Sequence, residues 1–143
     1  MKLKSLPSEK TEKQPTSDIL GERLRRGEVM SANCPSREIL SHITSRWGVL
    51  VMIALGDGTL RFSELRRKIK GVSEKMLAQT LQALETDGFV DRISYPVVPP
   101  HVEYTLTPMG KEVQLQLTSL TDWVETNLHR IMNQRHMRLV EKS

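Results

Sequence analysis

The segment from Phe62 to Gly88 constrains the fold of this chain more than any other. Gly71 divides it into a short helical pattern, Ser63–Lys70, and a longer one, Ser73–Asp87. Gly88 follows the longer pattern, at the position where a left-handed backbone conformation commonly ends a helix. Leucines recur in the longer pattern at the spacing of one helix face: Leu77, Leu81 and Leu84. Two helices joined by a tight glycine-containing turn are typical of a helix-turn-helix.

Two predicted strands, Phe89–Tyr95 and Val102–Leu106, follow this pair of helices directly. In the second strand apolar residues alternate with polar ones, as in a strand with one buried face. The loop Pro96–His101 between them holds three prolines, which stiffen it and bar it from pairing inside a sheet. A hairpin in this place predicts the winged variant of the motif.

The remaining patterns complete a mainly α-helical chain with one small β-hairpin. Upstream, one helix begins at Pro35, a second spans Trp47–Leu55, and Thr59–Phe62 is a brief strand. Downstream, the longest helix spans Lys111–Met132. The predicted fold class is therefore a winged helix-turn-helix with the element order α-α-β-α-α-β-β-α.

Composition excludes several classes of protein. The formal net charge of +4 suits a polyanionic partner, and equally a soluble protein whose charge serves solubility. Cys34 is the one cysteine, so no intramolecular disulfide can form. The sequence shows neither a membrane-spanning apolar run nor a signal peptide, so we expect a cytoplasmic protein without a membrane partner. It shows no metal-ligand or phosphate-loop pattern, so we expect no cofactor.

The outer face of the second helix of the motif carries side chains suited to base edges. A rotation of about 100° per residue places Lys75, Gln79 and Gln82 opposite the leucines. Lys can donate to guanine, and Gln can make a paired contact with adenine in the major groove of duplex DNA. Ser73 and Met76 lie near the helix start, where base contacts are concentrated. Any solvent-facing helix side looks similar, so this face alone does not decide the matter.

Basic residues crowd just before that helix: Arg61, Arg66, Arg67, Lys68 and Lys70. Such a cluster on one side of a small domain is the expected footprint of phosphate contact. The hairpin adds Arg92 and His101 as candidate phosphate contacts. Since histidine is a weaker cation than arginine or lysine, it is equally consistent with the sequence that His101 is an ordinary exposed residue of the loop.

Several motifs occur in order between Cys34 and Trp123: Cys34-Pro35, Trp47, Arg61-Phe62-Ser63-Glu64-Leu65, Met76-Leu77, Leu84-Glu85, Asp87-Gly88, Val102-Glu103-Tyr104-Thr105-Leu106-Thr107, Gly110 and Trp123. Together they resemble the HxlR family of bacterial regulators. The resemblance implies a winged-helix homodimer that acts on transcription, with the N-terminal and C-terminal helices forming the dimer contact. Two positions depart from the family pattern: Ser45-Arg46 stands for its usual Gly-Lys, and His101 for a more basic wing residue.

Apolar residues in the terminal helices are the candidate dimer interface: Ile19, Leu20, Leu24, Leu117, Leu120, Val124, Leu128 and Ile131. The alternative is that some of the apolar residues of the C-terminal helix cover the domain's own core. Dimerisation is favoured because small DNA-binding modules usually need two half-sites, roughly 34 Å apart.

Cys34 directly precedes Pro35, which predicts a helix N-cap where the helix dipole favours the thiolate. A reactive thiol would respond to an oxidant or electrophile as effector, and some HxlR-like regulators use a cysteine at the corresponding place in this way. The alternative is an unreactive buried cap residue, and both stay open.

These patterns predict a division of the chain into five segments. Residues 1–17 form a disordered arm, because they hold almost nothing to bury. Residues 18–33 carry a short helix available to a dimer contact, and 34–107 form the DNA-binding domain. Residues 108–132 form the C-terminal dimerisation helix, and 133–143 a flexible tail.

The sequence leaves three functions to consider. The first is a DNA-binding transcriptional regulator, a homodimeric repressor whose binding responds to Cys34 or to a small-molecule ligand. The second is a winged-helix protein-interaction module without sequence-specific DNA binding. The third, an enzyme with Cys34 as nucleophile, is disfavoured because it needs a base close in space. His42 is two helical turns away on a polar face, and no pattern places another histidine near Cys34.

Overall fold

The computed structural model describes residues 28–142, which group into two units divided after Ser41. The predicted arm and its neighbours Ile19, Leu20 and Leu24 lie outside the described residues. In the first unit a 3-10 turn spans Glu28–Met30, and the carbonyl of Met30 accepts a hydrogen bond from Arg37 Nη1 at 3.2 Å. Helix α1 spans Pro35–Thr44, and its last residues, from His42 on, belong to the second unit.

The second unit is a winged helix-turn-helix, as predicted. Its elements follow in this order: α2 (Arg46–Ala54), β1 (Leu60–Arg61), α3 (Phe62–Lys68), α4 (Glu74–Thr86), β2 (Val90–Tyr95), β3 (His101–Leu106), α5 (Pro108–Thr126) and α6 (Leu128–Lys142). The strands form an antiparallel sheet in the order β1-β3-β2, with Leu60 and Arg92 flanking Tyr104 on either side.

Hydroxyl caps set the starts of three helices. Ser45 accepts a hydrogen bond from the amide of Gly48 at the start of α2, and Ser73 accepts one from Met76 at the start of α4. Thr107 Oγ1 accepts from the amide of Gly110 at 2.9 Å. Each cap satisfies an amide that the first helical turn leaves unpaired, which fixes where the helix begins.

The core lies between α2, α4 and the sheet. Its fully buried side chains are mostly aliphatic: Met52, Leu65, Leu77, Leu81, Leu84, Val51 and Val90. The leucines predicted on one face of the longer helix are therefore confirmed as core residues. They anchor α4 to the domain and leave its opposite face in solvent.

The C-terminal region differs from the prediction of one helix, Lys111–Met132, followed by a flexible tail. Helix α5 starts at Pro108 and stops at Asn127, whose side-chain amide donates to the carbonyl of Trp123 at 2.8 Å. Such a local side-chain bond competes with the helical backbone pattern. A second helix, α6, then continues to Lys142, so helical structure extends beyond Met132, the predicted end of the helix.

Leu117, predicted with the dimer interface, is only 6% exposed and packs in the domain's own core. Its turn of α5 lies over the core, whereas the next turns extend beyond it. The other C-terminal candidates keep exposed surface, as described below.

Between residues 28 and 142, no single helix is long and apolar enough to cross a bilayer; only Pro35–Thr44 and Arg46–Asp57 taken together, across a bend, reach that length and hydropathy.

Candidate nucleic-acid interface

Helix α4 separates its buried and exposed residues sharply. Lys75, Met76, Gln79 and Gln82 are exposed, and we call them the reading face. On the opposite side Leu77, Leu81 and Leu84 are at most 1% exposed. The orientation predicted from helical periodicity is confirmed, and it presents donors and acceptors to solvent along one side of the helix.

The turn before α4 contains a glycine in a left-handed backbone conformation. Gly71 has a φ of +92°, a backbone conformation that residues other than glycine rarely adopt. Val72 is buried, so the chain is pinned just before Ser73 caps the helix. The cap and the buried valine determine where the helix begins, so Lys75 and Met76 lie in its first turn.

Two arginines of α3 line an open cleft beside the start of α4. Phe62, Ser63, Arg66, Arg67 and Glu74 line this arginine cleft, whose volume is about 500 Å³. The Arg66 guanidinium lies 3.6 Å from the Glu74 carboxylate, and both side chains are half or more exposed. The cleft therefore brings two cations next to the reading face.

Arg61 lies at the entry to α3, where its backbone amide donates to Glu64 Oε1 at 2.8 Å. This contact satisfies an amide at the helix start, while the Arg61 side chain remains exposed. Arg61 thus directly precedes the helix whose Arg66 and Arg67 line the arginine cleft.

The structure does not bring the two lysines of the basic cluster to the arginine cleft. Lys68 and Lys70 line a separate groove with Leu50, Ile53, Ala54 and Ile69. Lys68 Nζ is also 3.5 Å from Asp57, an exposed and weak ion pair. The predicted basic patch is therefore divided between two places on the domain.

The wing consists of β2, β3 and the loop 96–100. Arg92 is exposed on β2, opposite Tyr104 of β3. His101 lies in β3 rather than in the loop: its ring stacks on Tyr95 with centroids 4.8 Å apart, and its Nε2 is 3.4 Å from Glu103. The same Glu103 carboxylate raises the pKa of the Tyr95 phenol above its ordinary value, by charge repulsion of the phenolate and by accepting its hydrogen bond. His101 is thus engaged within the wing.

The model of the HxlR-like helix-turn-helix family matches residues 42–132. The chain belongs to this family. The match covers the reading face, the arginine cleft and the wing, so these features lie inside the shared domain. The family consists of helix-turn-helix transcriptional regulators, and the resemblance drawn from the sequence motifs is confirmed.

Individual relatives agree with the family. The chain is 60% identical over 83% of its length to YtfH of Escherichia coli K12, an uncharacterised HTH-type transcriptional regulator, and covers 94% of that protein. The solved structure of the Salmonella typhimurium YtfH regulator matches with a TM-score of 0.73 and 64% identity, over 75% of this chain and 96% of that one. The oxidised form of the redox regulator HypR matches with a TM-score of 0.61 and 36% identity, over 66% and 97%.

This HxlR-like domain also has a polar contact that the sequence pattern did not indicate. His42 Nδ1, in the last turn of α1, lies 2.6 Å from Asp87 Oδ2, at the C-terminal end of α4. The two residues are 45 positions apart, and no spacing rule connects them.

The guanidinium of Arg46 lies 5.6 Å from the centre of the Trp47 ring. Ser45-Arg46, which replaces the family's usual Gly-Lys, therefore keeps a cation at this position.

Cys34 directly precedes α1 in the first unit and is half-buried. Its backbone carbonyl accepts a hydrogen bond from the amide of Arg37 at 3.0 Å, the pattern of a first helical turn. The predicted position at the start of a helix is confirmed, whereas the reactivity of the thiol stays a prediction.

Apolar side chains remain exposed along the end of α5 and the start of α6: Leu120, Trp123, Val124, Leu128 and Met132. Leu120, at 59% exposed, is the most accessible of them, and Ile131 is half-buried. We call this surface the C-terminal apolar surface. A soluble domain rarely leaves so many neighbouring large apolar side chains in water without a partner.

Proposed function

We propose that this HxlR-like chain is a homodimeric, cytoplasmic repressor that reads duplex DNA through the reading face of α4. The observation that carries the proposal is the arginine cleft, because Arg66 and Arg67 lie beside the helix start, where Lys75 begins the reading face. Phosphate contacts from the cleft would hold the helix in the major groove while Lys75 and Gln79 discriminate between bases.

Dimerisation is proposed through the C-terminal apolar surface. Leu120, Val124 and Leu128 keep 40 to 59% of their surface exposed in the single chain. Burying them against a second copy removes apolar area from water, at about 25 cal/mol for each Å². A dimer would also present two α4 helices to two half-sites, roughly one turn of DNA apart.

A redox response through Cys34 is proposed as a further property of the repressor. The residue stands at the start of α1, where unpaired amides and the helix dipole stabilise a thiolate. The similarity to a redox regulator supports this proposal. With one cysteine in each chain, an oxidant such as diamide would remove two electrons and two protons from two thiols, joining either two chains or one chain and a small thiol.

The test of the function is equilibrium binding of the purified protein to duplexes from the DNA upstream of its own gene, measured at several salt concentrations. We expect a complex that forms preferentially on one duplex sequence. The logarithm of its association constant should fall linearly with the logarithm of the salt concentration, with a slope of about −0.9 for each phosphate contacted. If the protein dimerises but shows no salt-dependent binding to DNA, it would instead be a protein-interaction module. For Cys34, diamide should weaken binding by the wild type and leave C34S unaffected.

A further inference from the structure

We propose that His42 is a positioning residue that fixes the orientation of the recognition helix α4 through Asp87, and so contributes to the choice of DNA sequence. The inference rests on the proposed function, in which α4 enters the major groove. It concerns residues that lie away from the reading face, at the opposite end of the helix.

The contact itself is short and partly buried. His42 Nδ1 lies 2.6 Å from Asp87 Oδ2, and the two side chains are 28% and 11% exposed. Because an ionised carboxylate only accepts hydrogen bonds, Nδ1 must carry the proton that is shared. Charge-assisted hydrogen bonds of this kind are directional and stronger than bonds between neutral groups.

Asp87 occupies a position that is electrostatically unfavourable without a partner. It is the C-cap of α4, where the last carbonyls give the helix a partial negative charge. A carboxylate there repels that end of the helix, and at 11% exposure water shields it little. His42 supplies the compensating donor, so its position decides where the Asp87 side chain is held and adds a directional contact at the end of α4.

The other contacts of α4 fix its direction less well. The buried leucines set how deep the helix lies, but apolar packing is not directional. The Arg66–Glu74 pair at the helix start is 3.6 Å long and exposed. At a rise of 1.5 Å per residue Lys75 is about 18 Å from Asp87, so a tilt of about 5° at the far end displaces it by about 1.5 Å. Such a shift breaks a hydrogen bond to a base.

Backbone contacts close the end of α4 independently of His42. The amide of Phe89 donates to the carbonyl of Leu84 at 3.0 Å, and Thr107 Oγ1 donates to the carbonyl of Gly88 at 2.7 Å. Because these bonds remain, a variant at position 42 should still fold. Its effect can then be measured on binding rather than on the amount of folded protein.

The experiment compares H42A, H42N and H42Q with the wild type. The probe is a duplex that the wild type enriches from a random pool, with a scrambled duplex of equal length as reference. We expect the ratio of the affinity for the enriched duplex to that for the scrambled duplex to fall about tenfold in H42A. The affinity for the scrambled duplex should stay unchanged. H42N should recover most of the ratio, because the Asn amide nitrogen lies where Nδ1 does, and H42Q should not. An unchanged ratio in H42A, or equal weakening on both duplexes, would overturn the inference.

A measurement without DNA separates this inference from the proposed function. Residual dipolar couplings of backbone amides report the orientation of α4 relative to β2 and β3. We expect H42A to change that orientation and H42N to restore it; identical couplings in H42A and the wild type overturn the positioning role. A wild type that enriches no sequence contradicts the proposed function, and the couplings then decide the positioning role alone.

Discussion

Arg66 of α3 and Glu74 of α4 face each other across the arginine cleft, with 3.6 Å between guanidinium and carboxylate. The pair links the two helices of the helix-turn-helix, and it also occupies a cation that would otherwise be available to phosphate. With both side chains half or more exposed, the attraction itself is weak. Its main consequence is expected in DNA binding rather than in stability.

Replacing Glu74 should therefore strengthen DNA binding. In E74Q the carboxylate no longer competes for Arg66 or repels the DNA backbone, so we expect about two- to fivefold tighter binding at moderate salt. Fluorescence anisotropy with a labelled duplex measures this directly. E85Q, which removes an exposed carboxylate near the other end of α4, is the control and should bind as the wild type does. Unchanged or weaker binding by E74Q would place the DNA elsewhere.

The C-terminal apolar surface makes a separate prediction about assembly. The double variant L120E/V124E places two charges in that surface and should convert a dimer into a monomer, as measured by analytical ultracentrifugation. L115E is the matched control: Leu115 is 66% exposed but lies on the opposite side of α5 by helical geometry. A double variant that sediments like the wild type would show that the copies meet elsewhere.

Gly110 is required by a close backbone approach at the start of α5. A Cβ at this position would overlap the carbonyl oxygen of Phe89. Because backbone must move, G110A should lower the free energy of unfolding by about 3 kcal/mol and the Tm by roughly 10 °C. In G56A the overlap is with the flexible side chain of Gln114, so the loss should stay below about 1 kcal/mol. Calorimetry of the two variants checks the difference, and equal losses would contradict it.

The wing predicts a pH effect centred on Tyr95. Glu103 raises the pKa of the Tyr95 phenol, so the folded protein holds this proton more tightly than the unfolded chain does. The stabilisation is present below the unfolded pKa of about 10 and is lost as pH rises through the folded value. Ultraviolet titration of the phenolate, with Y95F to identify the signal, should show E103Q returning the pKa toward its ordinary value. If E103Q titrates like the wild type, the assigned cause is wrong.

The sequence predicts most of the fold because its periodic patterns are local. The spacing of Leu77, Leu81 and Leu84 determines both the core face of α4 and the side on which Lys75 and Gln79 lie. The alternation in β3 and the prolines before it likewise predict the wing. In each case a few neighbouring residues carry the whole signal, so no knowledge of distant contacts is needed.

The features that the sequence misses depend on contacts between distant residues. His42 and Asp87 meet only because His42, at the start of the second unit, lies at the C-terminal end of α4 in that unit. The division of the basic cluster, with Arg66 beside α4 and Lys68 beside α2, follows from how α3 packs and not from its composition. For Leu117, helical spacing identified the apolar stripe but not the turn at which the domain's own core ends.

The most direct test of the central claim, that α4 reads DNA through Lys75 and Gln79, is the binding of K75A and Q79A to the duplex enriched by the wild type. Each variant should lose about 1–3 kcal/mol of affinity for that duplex, and Q79A should relax the preference at one base pair. Binding to a scrambled duplex should fall slightly in K75A and remain unchanged in Q79A. If both variants bind the enriched duplex as tightly as the wild type, α4 is not the helix that reads the sequence.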